Sequence, residues 1–463
     1  MVLEALTARR NASAVPVSLV TAKSLDAWSK NRPAPEGNWL RANGFDGAPG
    51  TFCLIPDNSG AAARVVAGTS DPAGLWDLAA LSTGLPEGRY ALDGRLAAGR
   101  AELAALGWAL GSYRFGRYKT GKDKKKAVAV LEWPRNCDRR AVERAALATF
   151  LVRDLATTPA ADMGPAELAT AARKLARAHK AACTVTVGGN LLKKNYPLIY
   201  TVGRASARAP RLIDLRWGPS RAPKLSIVGK GVCFDSGGLD LKPSSNMLLM
   251  KKDMCGGAHA LALAQMIMSA GLKVRLRVLI PAVENSVSGD AYRPGDVVKS
   301  REGRTVEVGN TDAEGRLVMA DALSDADDDD PDLLIDFSTL TGAQRAACGY
   351  DLPAFFTNDE KVAAQIMKSS EKTADPMWRL PLFEDYRSQL SSTVADINST
   401  GKTRVVGAIL AALFLQSFID RDRTWIHTDF MGWNMSSRPG RPEGGEAQGL
   451  RALYGLIAAR YGN

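Results

Sequence analysis

Residues 226–253 read SIVGKGVCFDSGGLDLKPSSNMLLMKKD. The stretch opens as an apolar strand that ends at Val228, where Gly229 breaks it. Lys230 therefore sits just past the carboxyl end of a strand. Asp235 follows, ahead of Ser236-Gly237-Gly238, where glycines let the backbone turn tightly and come close to a ligand. Lys242 is next, and Asp253 opens a helix. In open α/β sheets the sites lie beyond the carboxyl ends of strands. This one segment thus points to the fold class and to the place where chemistry is expected.

Working outward, apolar runs at Leu198–Val202, Leu225–Val228, Leu276–Ile280, Leu333–Phe337 and Trp425–Phe430 read as strands. They alternate with helical patterns at Gly257–Ala270, Leu317–Ala326, Lys361–Ser370 and Val405–Ile419. Such alternation predicts an α/β domain with a mostly parallel central sheet flanked by helices. Upstream, one helix is expected from Pro165 to His179. Another is expected from Arg139 to Thr157, stopped at Thr158-Pro159, where proline cannot continue it. Residues 1–135 read as a smaller α/β unit. Its short apolar runs, Phe52–Ile55 and Ala63–Ala67, lie between Gly/Pro-rich loops, with helices expected at Pro72–Ser82 and Leu96–Leu110. The expected organisation is an N-terminal domain at 1–135, a linker helix at 136–160 and a C-terminal catalytic domain at 161–463.

A second segment, residues 308–317, reads VGNTDAEGRL. A β-hairpin precedes it, with strands at Val297–Lys299 and Thr305–Val308 and a turn at Glu302-Gly303. Asp312 and Glu314 stand two apart in an irregular loop, so their side chains can aim at one point; Arg316 follows. Together the two segments bring four carboxylates and two lysines to the mouth of a sheet. Carboxylates packed together repel and raise one another's pKa. Divalent cations remove that penalty, and two of them roughly 3.5–4 Å apart can share a carboxylate and activate a water. A lysine can ligate a metal when its amine is neutral, and burial beside a cation drives it that way. Plainer readings stand beside this one. Thr311-x-x-Glu314 fits a helix capping box, Asp253 can complement a helix dipole, and Lys230 and Lys242 can be surface lysines.

Taken together, these residues resemble the leucine aminopeptidase family of di-metal exopeptidases. Asn310–Leu317 (NTDAEGRL) is identical to the family signature, and Gly229–Pro243 (GKGVCFDSGGLDLKP) matches its other catalytic segment. Further matches fall at Asn246-Met247, Met250, Asp253-Met254, Arg293–Asp296 and Thr339–Ala343. The resemblance covers roughly residues 150–463. It implies that Lys230, Asp235, Asp253, Asp312 and Glu314 hold two divalent metal ions, manganese or zinc, with magnesium or cobalt also accepted. Asp235 and Glu314 are implied to bridge both ions. Lys242 resembles the catalytic lysine that polarises the scissile carbonyl. Arg316 resembles the arginine that holds bicarbonate as general base. Met250, Thr339 and Gly342 are implied to line the pocket for the substrate's first side chain. The implied activity is removal of the N-terminal residue, leucine-like preferred, from peptides by a two-metal-activated water, in a homohexamer. The sequence departs from the pattern at Leu248, where many relatives are acidic, and at Lys252, where they are often uncharged.

Composition bounds the alternatives. At 463 residues the chain holds two or three domains, on a prior of roughly 100–200 residues each. Six scattered cysteines, with no CxxC or zinc-type spacing, indicate reduced thiols and a cytoplasmic location; Cys233 and Cys255 read as space-filling. The N-terminus lacks an apolar secretory region. Val405–Ile419, at about 15 residues, is too short to span a bilayer, so no membrane partner is expected. The net charge of +11 permits nucleic-acid binding, and a DNA-binding or regulatory protein on a peptidase scaffold is the alternative reading. No groove-reading motif accompanies the charge, however, and its densest cluster, Arg117–Lys126, reads as a solvated loop. Asp325–Asp330 (DADDDD) reads likewise. The three histidines, His179, His259 and His427, form no HExxH, and His427 reads as structural. Ser236 is not in a G-x-S-x-G elbow. Thr400–Thr403 fails as a phosphate loop because Asp396 stands where glycine is required.

Overall fold

The structure, a computed structural model, describes residues 3–120, 128–403 and 405–462. Most of the basic cluster at 117–126 lies outside them. The chain forms two compact units, Met1–Phe150 with Ser436–Glu443, and Leu151–Met435 with Gly444–Asn463. The helix Arg139–Thr157 carries the chain from one to the other.

In the first unit the strands are β1 (Leu6–Thr7), β2 (Val15–Val20), β3 (Phe52–Pro56), β4 (Ala62–Gly68), β5 (Arg89–Leu92) and β6 (Val130–Glu132). They form one sheet in the order β1-β6-β5-β2-β4-β3. Only β3 runs antiparallel to its neighbour among these pairs. Val17, Val65 and Leu131 of this sheet are fully buried, and so is Trp108 of the helix Arg100–Gly111, whose ring lies 6.0 Å from that of Tyr90 in β5. The expected helix at Pro72–Ser82 is confined to Leu81–Gly84. Instead of a helix, Asp77 gathers its preceding loop, accepting from the backbone of Ser70 and Gly74, both at 2.8 Å.

The second unit is built on β7 (Ala182–Val187), β8 (Arg211–Trp217), β9 (Lys224–Gly229), β10 (Gly231–Asp235), β11 (Arg275–Asn285), β14 (Leu333–Ser338), β15 (Ala354–Thr357), β16 (Trp378–Arg379) and β18 (Trp425–Asp429). The short strands β12 (Val297–Lys299), β13 (Thr305–Glu307) and β17 (Ile397–Asn398) make a separate small sheet. The large sheet runs β16-β15-β18-β14-β9-β11-β8-β7, with β10 also on β11. Its centre, β18-β14-β9-β11, is parallel throughout, as expected. The fully buried Ile227, Ile335 and Ile426 show why these strands read as continuous apolar runs. Helices Cys255–Ala270 and Glu314–Asp327 pack on it, and Gly407–Gln416 packs on the latter helix. No helix among the described residues is long and apolar enough to cross a membrane.

Two readings of this unit are corrected. Leu198–Val202, expected as a strand, lies in the helix Pro197–Gly203. Pro197 opens that helix, where its missing N–H costs nothing. The acidic run at 325–330 is not simply solvated. Asp325 is buried and pairs with Arg277 at 2.8 Å and Arg301 at 3.2 Å, while Asp327 pairs with Arg423 at 2.5 Å.

His259, buried in the helix Cys255–Ala270, carries a pH-dependent stability. Its Nε2 accepts the Gln448 N–H at 3.0 Å, so Nδ1 must donate to the Cys255 carbonyl at 2.7 Å. That arrangement requires the neutral ring, and burial lowers its pKa from 6.5 to about 4. A depressed histidine leaves the unfolded chain holding more protons below pH 6.5, so stability is full above 6.5 and is lost as pH falls toward 4. The loss at pH 5 is expected to be about 2 kcal/mol. Thermal midpoints of wild type and His259→Asn at pH 7.5 and pH 5 check this. The wild-type drop should be the larger, and equal drops would remove His259 from the account.

Candidate active site

The break at Gly229 is where the site begins. β9 pairs with β11 as far as Val228, and β10 resumes the pairing at Gly231. Between them Lys230 leaves the ladder. Its N–H donates to the Phe337 carbonyl at the end of β14, at 2.9 Å, and its carbonyl accepts from Gly257 at 2.7 Å. The helix Cys255–Ala270 can approach this break because position 256 is glycine, where a Cβ would lie 2.7 Å from Lys230 N.

From this position the Lys230 side chain reaches inward, with Nζ 2.7 Å from Asp253 Oδ2 and 2.9 Å from Glu314 Oε1. Asp253 does not open an α-helix as expected. It lies in the short 3-10 helix Met250–Met254 that precedes one, and its Oδ1 accepts from Thr339 Oγ1 at 2.7 Å. Asp312 is in a 3-10 turn, Thr311–Ala313, and Glu314 is already the first residue of the helix Glu314–Asp327. The irregular loop expected there is thus shorter than anticipated. Thr311 does not cap that helix. Its hydroxyl donates to the Gly237 carbonyl at 2.7 Å and accepts from Asp240 N at 2.8 Å. Lys242 Nζ lies 2.7 Å from Asp235 Oδ2 and also contacts Asp312 Oδ1. One oxygen from each of Asp235, Asp312 and Glu314 falls within 4.8 Å of the others.

The electrostatics are those of a crowded anionic cluster. Burial and the nearby Asp235 raise Glu314 well above the usual carboxylate range, and raise Asp312 to about 6. Burial alone would lower the Lys230 ammonium, yet Asp253, Glu314 and Asp235 outweigh it and hold it above the usual lysine range. Lys242 is held up in the same way, with Asp235 the leading anion. Asp253 Oδ2 and Glu314 Oε1 face the Lys230 ammonium, while Glu314 Oε2 is buried without a partner. A buried carboxylate oxygen is rarely left so, and a cluster this rich in carboxylate oxygens is a set that suits a hard divalent cation.

Of the other anticipated residues, Arg316 is buried, with Nη1 donating to the Ser399 carbonyl at 2.7 Å and Nε without a partner. Burial lowers its pKa to about 10. Met250 and Thr339 are buried, and Gly342 opens the helix Gly342–Cys348. Asp429, at the end of β18, fixes the 339–342 turn by accepting from Leu340 N at 2.8 Å and Thr341 Oγ1 at 2.6 Å. His427 is fully buried with Nδ1 2.6 Å from Asp336 Oδ1 and its ring stacked on Trp425, a structural position. Cys233 and Cys255 are buried, and burial raises both thiols above their usual range.

The model of the cytosol aminopeptidase family, catalytic domain, matches residues 150–454. The chain belongs to the cytosol aminopeptidase family. A second model, M17 aminopeptidase, N-terminal domain, matches residues 15–133. Among curated members, a probable cytosol aminopeptidase of Syntrophotalea carbinolica is 39% identical over 77% of this chain and 74% of its own. Peptidase B of Pectobacterium atrosepticum is 40% identical over 71% and 77%. The crystal structure of cytosol aminopeptidase from Coxiella burnetii superposes with a TM-score of 0.94 at 46% identity, over 99% of this chain and 100% of that one. The bottromycin maturation enzyme BotP in complex with Mn gives 0.86 at 33% identity, over 97% and 100%. This family member is accordingly an aminopeptidase, a hydrolase acting on peptides, with the family's two-domain α/β architecture.

Proposed function

We propose that this aminopeptidase works with two divalent cations and removes leucine-like N-terminal residues. The observation that carries the reading is the convergence of Lys230, Asp235, Asp253, Asp312 and Glu314, with Glu314 Oε2 buried without a partner. Asp235 and Glu314 would be shared by both cations, Lys230 and Asp253 would complete one site, and Asp312 the other. Manganese or zinc fits this donor set, as would magnesium or cobalt, and the manganese complex of BotP supports manganese. When bound, the cations supply an acidified water and a Lewis acid for the scissile carbonyl.

The chain's own residues do the rest. Lys242, with 12% of its side chain exposed against 3% for Lys230, carries its charge at the mouth of the cluster. There it can stabilise the oxyanion developing on the substrate carbonyl. Arg316 offers its unpartnered Nε to bicarbonate, assigned here as general base. Met250, Thr339 and Gly342 line the pocket for the first side chain, and Met250 gives it an apolar wall. A cytoplasmic homohexamer is the assembly that goes with this reading.

The test is hydrolysis of leucine p-nitroanilide and a leucyl dipeptide in bicarbonate buffer, by chelated protein and by protein re-supplied with manganese or zinc. Activity is expected to vanish on chelation and return with metal. Undiminished activity in the metal-free protein would refute the reading.

A further inference from the structure

Asp235 and Asp312 come from segments far apart in sequence, yet two cations sharing Asp235 require their separation to be held closely. One buried side chain outside both segments joins them. Asn285 is the last residue of β11, 1% exposed, and lies opposite Asp235 in the β10–β11 register. Its Nδ2 donates to Asp235 Oδ1 at 2.8 Å and to the Thr311 carbonyl at 3.0 Å. A primary amide has two N–H donors, so each segment takes one. The backbone of Asn285 adds to the hold, its carbonyl accepting from Ser236 N at 3.1 Å and Ser236 Oγ at 2.7 Å.

The consequence for Asp235 is directional. Oδ1 already receives Asn285 Nδ2 and Gly237 N, the latter at 2.9 Å, while Oδ2 faces Lys242 at 2.7 Å. The carboxylate cannot rotate without losing two hydrogen bonds. On the other side, the Thr311 carbonyl is also held by Tyr292 OH at 2.7 Å, and Thr311 N donates to Asp240 Oδ2 at 2.7 Å. Thr311 directly precedes Asp312, so the tie at Thr311 fixes where the Asp312 side chain starts. Among the described residues, no other side chain outside the two segments hydrogen-bonds to both.

We propose that Asn285 is a positioning residue whose amide sets the distance between Asp235 and the Thr311–Glu314 segment, and with it the spacing of the two cations. The proposal rests on the two-metal reading and is tested apart from it. Wild type and Asn285→Leu, which keeps the branched shape and removes both donors, are titrated with manganese by calorimetry and examined by electron paramagnetic resonance. Loss of such an outer partner typically costs about 10–100-fold in metal affinity. The variant is expected to bind its weaker manganese about 10–100-fold less tightly, and to exchange the spin-coupled signal of a close pair for the six-line signal of isolated ions. Its kcat should fall with KM little changed. Should Asn285→Leu fail to fold, Asn285→Ala is read in the same way. Wild type binding two coupled ions, with the variant indistinguishable from it, overturns the role of Asn285 alone. Wild type binding fewer than two overturns the two-metal reading and this proposal with it.

Discussion

Lys242→Ala is expected to lower kcat by roughly two to three orders of magnitude while leaving manganese content close to that of wild type. The figure is that for removing one preorganised donor from a developing oxyanion. Lys242 is the more exposed of the two lysines in the cluster, and its partners Asp235 and Asp312 are both assigned to cations. Once those carboxylates are compensated by metal, the lysine is not needed to hold the cluster together. Its charge is then free for the substrate oxygen. Lys230 is in the opposite position. It is 3% exposed and enclosed by Asp253 and Glu314, so its loss should remove metal and activity together. Metal analysis and steady-state kinetics on Lys242→Ala separate the two roles. Equal loss of metal and turnover would show that Lys242 belongs to the ligand set.

Gly315→Ala is expected to reduce activity by at least about 100-fold, the cost typical of misplacing a catalytic group by about 1 Å. A Cβ at position 315 would press on Lys230 Cε, and would lie 2.7 Å from Lys230 Nζ and 3.0 Å from Leu340 Cδ1. The helix Glu314–Asp327 begins one residue earlier, and Glu314 is itself buried in the cluster. The backbone there has little room to retreat. Lys230 must move instead, away from Asp253 and Glu314. Gly289→Ala serves as the control, because nothing lies within 4 Å of a Cβ there, and it should behave as wild type. Activity of Gly315→Ala within about threefold of that control would contradict the placement of Lys230, given that 1 Å is expected to cost far more.

The α/β fold and the candidate site were legible in different ways. The candidate site residues fall in two short segments whose glycines and paired charges are unusual together, so they could be singled out locally. What joins those segments could not. Asn285 reaches Asp235 and Thr311 only because β11 runs on past its pairing with β9 to pair with β10, a property of sheet register that no spacing in the chain displays. The central strands were visible as continuous apolar runs because parallel strands are covered on both faces. Leu198–Val202 has the same short apolar composition and is a helix, and periodicity does not separate the two over so few residues. Arg211–Trp217 was missed as a strand because charged residues interrupt it, and Asp214 turns out to pair with Arg277 of β11 at 3.0 Å. Glu314 was expected in an irregular loop and instead opens its helix, although Thr311 does not cap it. Lys252 is buried with Nζ unpartnered, and burial lowers its pKa to about 8; nothing in the structure explains it.

The most direct test of the account is diffraction from crystals grown with manganese, recorded at the manganese absorption edge. Two anomalous peaks roughly 3.5–4 Å apart are expected, one against Lys230 and Asp253, the other against Asp312, with Asp235 and Glu314 touching both. A single peak, or none within reach of Asp235 and Glu314, would contradict the two-metal site.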